Sequence, residues 1–200
     1  MRISHRNKFI FLSNPRCGST SIRQLLDPYS CIKSGKEFPY NNHTNARRLK
    51  AHFQTMGWNW EDYTVITTIR NPFDRVASMY SFGLSNQKST WHRLISRHPT
   101  IDAFVSALPD YFKNGLPPER DGGFTIDIFA FSETGERLVE HIIPIKSIDS
   151  HLPPILKKLN ISCNVIPHVN MTSGKHSFNE NSMITIAELF ASDISLGNYA

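Results

Sequence analysis

The strongest constraint on how this chain can fold is a stretch near its start, residues 8–26, which reads KFIFLSNPRCGSTSIRQLL. The four apolar residues from Phe9 to Leu12 are short enough for a strand that is buried on both faces, as in a parallel sheet. Asn14-Pro15 ends that run, and Asp27-Pro28 stops the helical pattern that follows the next polar residues. The stretch therefore predicts a strand, a loop and then a helix from about Ser19 to Leu26.

The loop between this strand and this helix has the composition of an oxyanion site. Every residue from Cys17 to Ser21 is small, so backbone N–H groups can turn inward around an anion, and the helix directs its positive dipole end to the same point. Arg16 adds a cation next to them. The P-loop pattern G-x-x-x-x-G-K-[ST] would need a glycine near Asn14 and a lysine after Gly18, and the sequence has neither. We therefore expect an oxyanion ligand in a loop unlike that of the P-loop kinases.

A second informative stretch reads YTVITTIRNPFDRVASMYSF and ends at Phe82. It begins with β-branched residues from Thr64 to Ile69, as a buried strand prefers. Asn71 can cap a helix that has Pro72 at its first position, and an acidic residue follows in the first turn. Arg70 comes at the carboxyl end of the strand, which is where ligands bind in open α/β sheets. The stretch predicts a second strand and helix with a ligand-binding arginine between them.

These two stretches resemble the sulfotransferases that use 3′-phosphoadenosine 5′-phosphosulfate (PAPS). The segment P-R-C-G-S-T-S is similar to their 5′-phosphosulfate loop, and R-N-P-x-x-R-x-x-S-x-Y looks like their 3′-phosphate-binding motif. The resemblance implies a three-layer α/β fold of the P-loop NTPase type, in which helices flank a central parallel sheet. It also implies PAPS as sulfuryl donor, 3′,5′-bisphosphoadenosine (PAP) as product, and no required metal.

The resemblance assigns cofactor-binding roles to residues of this chain. Arg70 and Ser78 match the residues that hold the 3′-phosphate, and Lys175, in the late segment VIPHVNMTSGKHSF, matches a basic residue close to that phosphate. We interpret Arg75, in the same motif, as structural. The 5′-phosphosulfate group is assigned to the loop residues, which are Arg16, Cys17, Gly18, Ser19, Thr20 and Ser21.

Two catalytic residues follow from the same resemblance, His43 and Arg16. Carbohydrate sulfotransferases of this kind commonly carry a general base in the segment between the phosphosulfate loop and the second strand, and His43 falls there. A neutral imidazole, with an unperturbed pKa of about 6.5, can take the proton of an acceptor hydroxyl at physiological pH. Arg16 would stabilise charge on the leaving phosphate oxygen. His52 is the competing histidine, but its place within a predicted helix is more typical of a packing or surface residue.

The remaining segments carry weaker signals. Asn45 is expected to cap a helix with Ala46, Leu49 and Phe53 inward and Arg47, Arg48 and Lys50 outward. Two helices are expected in 84–124, and Thr100 is expected to cap the second. We interpret this segment as an insertion on the acceptor side of the domain. Further along, 124–131 reads as a strand, 137–145 as a helix or a strand, and 151–159 as a short helix. A final helix over 181–191 is expected to bury Met183, Ile186, Ala187 and Phe190.

Composition limits the class of protein and its partners. The 200 residues suit a single domain over 1–200, and a net charge of +5 with a pI near 9.2 suits an anionic ligand. The sequence has no run of five like charges and no alternation of aromatic and basic residues, the patterns that would indicate binding to nucleic acid. The three cysteines lack disulfide or zinc spacing, and the sequence shows no secretory signal or membrane-spanning stretch. We expect a soluble, cytoplasmic protein of unknown oligomeric state.

The function predicted from sequence is transfer of a sulfuryl group from PAPS to an acceptor hydroxyl, in line and with a histidine base. A carbohydrate acceptor is favoured because the most similar motifs belong to carbohydrate sulfotransferases. One alternative is a cysteine-dependent phosphatase, because Cys17 and Arg23 satisfy C-x₅-R with the thiolate at a helix N-terminus. Another is a non-catalytic nucleotide-binding module, which would keep both phosphate sites but lack the base at His43.

Overall fold

The computed structural model describes residues 1–35, 39–115, 125–162, 166 and 176–199. These residues group into two compact units, one formed by Met1–Ile69 with Ile126–Asn170 and the other by Arg70–Thr125 with Met171–Ala200. The helices of the described chain are, in order, α1 (Ser19–Leu26), α2 (Ala46–Thr55), α3 (Pro72–Ser85), α4 (Thr90–Ile95), α5 (Ile101–Lys113), α6 (Ile126–Ala130), α7 (Ile148–Lys158), α8 (Glu180–Leu189) and α9 (Ala191–Gly197). Within the described residues, no helix combines the length and the apolar character that crossing a membrane requires.

The first unit is built on a five-stranded sheet of mixed direction. Its strands are β1 (Arg2–Ser4), β2 (Phe9–Leu12), β3 (Ile32–Lys33), β4 (Thr64–Ile69) and β5 (His141–Pro144), and they lie in the order β3-β1-β2-β4-β5. The neighbours β2, β4 and β5 are parallel, whereas β1 runs antiparallel to both β2 and β3. The predicted α/β class, the strand at 9–12 and the strand at 64–69 are confirmed. The short strand β1 extends the parallel centre and was not predicted.

The apolar run of β2 is buried on both faces, as its composition predicted. Phe9 and Phe11 pack in a core with β4, β5, α1 and α7, contributed by Ile66, Ile143, Ile22, Leu26, Ile148, Leu152 and Leu156. Because successive side chains of a strand point to opposite faces, Ile10 and Leu12 lie on the other face, and both are fully buried. A strand enclosed in this way gives the loop that follows it a rigid starting point.

Helix α2 begins at the predicted cap and buries the predicted face. The Asn45 side chain accepts a hydrogen bond from the backbone N–H of Arg48 at 3.0 Å. Ala46, Leu49 and Phe53 are fully buried, and Arg48 is exposed. Arg47 differs from the prediction, because its guanidinium does not point to solvent but donates to backbone carbonyl groups at the end of α6, including that of Ser132 at 3.2 Å.

The sequence prediction of a strand over 124–131 is wrong where the structure describes it, because 126–130 form helix α6. A short apolar run does not distinguish a strand from a buried helix, and here the carbonyl groups at the helix end are satisfied by the distant Arg47. The undecided stretch 137–145 contains strand β5. Helix α7 begins at Ile148, before the predicted 151, since Ile148 and Leu152 gain burial that outweighs the prolines inside the helix.

The second unit is a helical core with clear local start signals. Asn71 caps α3 by accepting from the N–H of Phe73 at 3.0 Å, and Thr100 caps α5 by accepting from Ala103 at 3.1 Å, as predicted. The core joins α3, α4, α5 and α8 and includes Val76, Tyr80, Trp91, Phe104, Ile186 and Phe190. The predicted last helix over 181–191 corresponds to α8, and a further helix, α9, follows it and was not predicted. The burial predicted for α8 is wrong for Met183, which is 45% exposed, and Ala187 is half-buried.

A buried ion pair links two helices of this second unit. Arg75 on α3 donates through Nη1 to Asp193 Oδ1 on α9 at 2.9 Å, and both side chains are almost fully buried. The guanidinium carbon also lies 5.9 Å from the centre of the Phe190 ring. The interpretation of Arg75 as a structural residue agrees with this geometry.

We predict that Asp193→Asn lowers the free energy of unfolding by about 3–5 kcal/mol, because it leaves the Arg75 charge buried without a counter-charge. Urea denaturation of the variant measures this loss. The control is Glu61→Gln, which removes the partner of Lys50 in an ion pair whose Glu61 side chain is 73% exposed, and it should cost less than about 1 kcal/mol. Equal effects of the two substitutions would show that the buried pair is not special.

Candidate functional site

The loop after β2 turns sharply through two residues with left-handed backbone conformations. Arg16 has a φ of 61° and Gly18, which is the N-cap of α1, a φ of 71°. Such turns bring successive backbone N–H groups to one side of the chain and form concavities that bind anions. Left-handed conformation in a non-glycine residue such as Arg16 is uncommon and is concentrated at functional sites. These two backbone conformations are compatible with the oxyanion loop expected from the sequence, which stays a prediction.

Gly18 is required by its neighbours as well as by its backbone angles. A Cβ atom built on Gly18 would lie 2.5 Å from Cδ1 of Ile145, which follows β5. A side chain at position 18 would therefore require the Ile145 side chain to shift. This contact was not foreseen from sequence, where Gly18 was chosen only for its small size.

The side chains of β4 hold the loop in place. Thr67 Oγ1 donates to the carbonyl oxygen of Leu12 at 2.9 Å, and Thr68 Oγ1 donates to that of Cys17 at 2.7 Å. In return, the Asn14 amide donates to the Thr68 carbonyl oxygen at 2.9 Å. All three side chains are fully buried. Sequence reasoning treated the two threonines only as β-branched strand residues, although adjacent hydroxyl groups in a buried strand are a signal of polar partners.

The first turn of α1 carries the small hydroxyl residues assigned to the phosphosulfate group. Ser19 and Ser21 are buried, Thr20 is half-buried, and the turn contains no acidic residue that would repel an anion. The structure thus brings Arg16, Cys17, Gly18 and the three hydroxyl residues together in one loop and helix start. The N-terminal dipole of α1 favours negative charge at this point.

Cys17 and Arg23 do not form the arrangement that a cysteine phosphatase needs. Cys17 is fully buried, and its Sγ lies 3.4 Å from the carbonyl oxygen of Pro15, to which it donates. A nucleophilic cysteine is a thiolate in an accessible, electropositive position. The Arg23 guanidinium instead contacts the Thr20 hydroxyl and the Asn42 side chain. The geometry does not favour the phosphatase alternative.

His43 lies beside this loop in the same unit. Its Nδ1 is 2.7 Å from the carbonyl oxygen of Ser13, the residue between β2 and Asn14. Because a carbonyl oxygen only accepts hydrogen bonds, Nδ1 carries the proton, and in the neutral ring the lone pair is on Nε2. The backbone N–H of His43 donates to Asn41 Oδ1 at 3.0 Å. The ring is half-buried and held in the tautomer that a general base requires.

His52, the competing histidine, is part of an aromatic cluster. Its Nε2 lies 2.9 Å from the Tyr40 hydroxyl, and its ring packs edge-on against Tyr40 and Trp58. These contacts agree with its interpretation as a packing residue on α2.

The residues assigned to the 3′-phosphate belong to the second unit. Arg70 precedes the cap of α3 and is half-buried, and within the part of the chain that the structure describes its guanidinium has no hydrogen bond or ion pair. Ser78 is buried on α3. Lys175 lies outside the described residues, but its neighbour His176 is hydrogen bonded to Ser81, one turn beyond Ser78 on α3, at 2.7 Å. The described chain therefore contacts α3 at His176, close to Ser78.

Residues that could ligate a metal are not clustered in the described ranges of the chain. Among them, no group of three or more histidine, cysteine, aspartate or glutamate side chains could hold an ion. The expectation that no metal is required stays a prediction.

The parallel strands, the left-handed glycine loop and the helix that follows it place the chain in the P-loop-like class of α/β proteins. The model of the Sulfotransferase family matches residues 1–188, so the chain belongs to this family. The predicted family is therefore confirmed.

One solved structure and the curated sequences complete the comparison. The chain is similar to mouse sulfotransferase SULT7A1 complexed with PAP, at 15% identity and a TM-score of 0.46 over 92% of this chain. The chain spans 63% of the length of that structure. No curated protein sequence matches this chain significantly.

We predict that Gly18→Ala destabilises the protein more than Gly57→Ala does. Both glycines have a left-handed φ, of 71° and 68°, but nothing lies within 4 Å of a Cβ on Gly57. Gly57→Ala should cost about 1–2 kcal/mol for the backbone alone, whereas Gly18→Ala adds about 1–3 kcal/mol for the contact with Ile145. Urea denaturation measures both values.

A second substitution tests the cause of the larger loss. Ile145→Val removes the Cδ1 atom that a Cβ on Gly18 would meet. Combined with Gly18→Ala, it should recover part of the added cost. If the double variant is no more stable than Gly18→Ala, the close approach of Ile145 is not what excludes a side chain at this position.

Proposed function

We propose that this protein transfers a sulfuryl group from PAPS to the hydroxyl group of an acceptor, with His43 as general base. The observation that carries the proposal is the hydrogen bond from His43 Nδ1 to the Ser13 carbonyl oxygen, at 2.7 Å. It holds a base of the correct tautomer at the start of an oxyanion loop, in a chain of the Sulfotransferase family. A non-catalytic nucleotide-binding module would have no need for such a base.

The 5′-phosphosulfate group of PAPS is assigned to the loop and the first turn of α1. Backbone N–H groups from Cys17 to Ser21, with the hydroxyl groups of Ser19, Thr20 and Ser21, are the proposed donors. Arg16 supplies a positive charge that stabilises the leaving phosphate oxygen, and it does so without donating a proton, since an arginine stays protonated. The dipole of α1 supports the same charge.

The 3′-phosphate is assigned to Arg70, Ser78 and Lys175. The described residues give the Arg70 guanidinium no partner, although half of the residue is buried. A planar guanidinium without a counter-charge suits two oxygens of a phosphate group. The assignment of Lys175 rests on the resemblance of its segment to the family's motif, because Lys175 lies outside the described residues.

The proposed reaction is an in-line displacement at sulfur. The acceptor oxygen forms a bond to sulfur while the bond from sulfur to the 5′-phosphate oxygen breaks, and PAP leaves with the electron pair. His43 takes the acceptor proton on Nε2, the ring nitrogen that carries the lone pair when Nδ1–H donates to Ser13. The protein contributes mainly positioning and charge stabilisation, as in phosphoryl transfer.

The acceptor is proposed to be a carbohydrate hydroxyl, and residues 84–124 are proposed to shape its site as an insertion in a single domain. This rests on the resemblance of the motifs to carbohydrate sulfotransferases. We further propose that the reaction needs no metal and that the protein acts in the cytoplasm. Incubation with isotopically labelled PAPS and a panel of glycans, lipids and phenols, with and without a chelator, tests the acceptor class and the metal requirement together.

We predict that Arg70→Ala weakens the binding of PAP by about 1.5–3 kcal/mol, the range for hydrogen bonds to charged groups. Binding of AMP, which lacks the 3′-phosphate, should be unchanged. Isothermal titration calorimetry with both nucleotides measures the difference. The control is Arg97→Ala, which removes an exposed arginine of the same unit and should leave both affinities as in the wild type. Equal wild-type affinities for PAP and AMP would remove the assignment of this motif.

We predict that His43→Ala lowers kcat by about 10²–10⁴-fold, as loss of a general base does, and leaves the affinity for PAP unchanged. In the wild type, kcat should fall at low pH as the imidazole takes up a proton. The control is His151→Ala, because His151 also contacts a backbone carbonyl oxygen through Nδ1, at 2.9 Å to Ser147, but is exposed on α7. A His43→Ala variant with normal turnover and pH dependence would contradict the assignment.

A further inference from the structure

Arg23 connects the phosphosulfate loop with the segment that carries His43. It lies on α1, and its Nη2 donates to the Thr20 hydroxyl oxygen at 3.3 Å. Its Nη1 donates to Asn42 Oδ1 at 2.7 Å, and Asn42 directly precedes His43. One guanidinium therefore joins a residue of the proposed donor site to the residue next to the proposed base.

The charge of Arg23 is held at this position against an electrostatic cost. Burial lowers the pKa of the Arg23 guanidinium, and the nearby Arg2 lowers it further. Arginine nevertheless stays charged in proteins, so its N–H groups need acceptors. The planar guanidinium presents several N–H donors at fixed angles. The contacts with Thr20 and Asn42, and a longer one of 3.4 Å from Nε to the Ser19 carbonyl oxygen, supply them.

The contact with Thr20 also determines what the Thr20 hydroxyl can do. Its oxygen accepts from a cation, so its own hydrogen is available to be donated elsewhere. A hydroxyl that accepts a charge-assisted hydrogen bond is polarised and becomes a stronger donor. In the proposed site, the acceptor for that hydrogen is an oxygen of the phosphosulfate group.

Several contacts within the first unit position the segment 39–44, and one of them joins the Met1 amino group to the Asn42 carbonyl oxygen at 3.3 Å. The His43 ring is fixed to the Ser13 carbonyl oxygen, and Asn42 is fixed by Arg23 and also by Ser34, whose hydroxyl donates to Asn42 Oδ1. Asn41 Oδ1 then accepts from the His43 N–H and from the Thr44 hydroxyl. Arg23 is thus one side chain of α1 that contacts this segment.

We propose that Arg23 is a positioning residue, which couples occupation of the phosphosulfate loop to the placement of His43. The inference rests on the proposed function, since it concerns the same donor site and the same base. Donor binding engages the Thr20 hydroxyl, the Arg23 fork is held between Thr20 and Asn42, and the His43 segment is ordered for proton transfer. Coupling of this kind is a free energy between two sites, and it acts equally in both directions.

The simplest rival explanation is that Arg23 acts only through its charge near a bound anion. Arg23→Lys separates the two, because lysine keeps the positive charge but lacks the planar fork that reaches Thr20 and Asn42 together. Asn42→Ala removes the far end of the connection and leaves Arg23 and Thr20 intact. Arg137→Met is the matched control, because Arg137 is an arginine of the same unit whose guanidinium donates to the carbonyl oxygens of Val139 and Glu140.

The experiment uses PAP as its probe, so it does not require a known acceptor. Amide hydrogen exchange of residues 39–44 is measured with and without saturating PAP, next to calorimetric affinities. In the wild type, PAP should slow the exchange of this segment. Arg23→Lys and Asn42→Ala should still bind PAP but lose that protection. With an acceptor, they should lower kcat by about 5–150-fold, the usual range of coupling between sites, and change KM for PAPS much less.

The double variant Arg23→Lys/Asn42→Ala adds a test of the connection itself. Two residues that act through one contact show non-additive effects. The double variant should therefore lose as much protection and as much kcat as the more affected single variant, and no more. Additive losses would show that the two residues act independently and would overturn the proposal.

Other outcomes also decide against it. If Arg23→Lys keeps the wild-type protection from exchange and the wild-type kcat, Arg23 acts only through its charge. If Arg137→Met loses as much protection and kcat as Arg23→Lys, the effect reflects general stability. A wild-type protein that binds PAP but transfers no sulfuryl group contradicts the proposed function, whereas the exchange measurement still supports or overturns the coupling. A wild-type protein that does not bind PAP overturns both.

Discussion

The hydrogen bonds from β4 to the loop after β2 are the interaction on which the candidate site depends. Thr67 and Thr68 donate to carbonyl oxygens of Leu12 and Cys17, and Asn14 donates back to Thr68. These bonds are buried, where an unmade hydrogen bond costs the full desolvation of a polar group. These bonds restrict the conformations that the loop can adopt. A loop fixed in advance can direct its N–H groups at an anion without a cost of reorganisation at that moment.

The close approach at Gly18 and the contacts of His43 follow from this fixed loop. Because the chain turns at Gly18 against Ile145, α1 starts at a defined point and its first turn faces the same loop. Ser13, between the strand and the loop, is held by the same surroundings, so its carbonyl oxygen is a stable partner for the His43 ring. His43, the proposed base, and the proposed oxyanion loop are thus joined through Ser13. Because these polar groups share the same neighbours, a unit with a small sheet can hold all of them in place.

Buried polar groups have different kinds of partner in the two units. In the first unit, the buried Thr68 hydroxyl and the buried Asn14 amide both donate to backbone carbonyl oxygens. In the second, Arg75 and Asp193 neutralise each other, whereas the described residues leave Arg70 without a partner. Two arginines five residues apart in one motif therefore serve different ends. One holds helices together, and the other is the proposed anion ligand.

The sequence by itself determined the elements whose signals are local. The strand at Phe9, the start of α1 at Ser19 and the caps at Asn45, Asn71 and Thr100 were all predicted from residues within one or two turns. Strand β4 was predicted because β-branched residues prefer a pleated, buried surface. The family, too, could be predicted, since its two motifs are continuous in the chain.

The tertiary structure alone decided whatever depends on residues far apart in sequence. The residues predicted as a strand form α6, and Arg47, far earlier in the chain, donates to the carbonyl oxygen of Asp127 within this helix and to that of Phe131 directly after it. The tautomer of His43 depends on its contact with Ser13, and the proposed positioning role of Arg23 depends on its contact with Asn42. Periodicity and caps report on a chain's own neighbours, whereas a hydrogen bond across the fold exists only once packing has brought its two ends together.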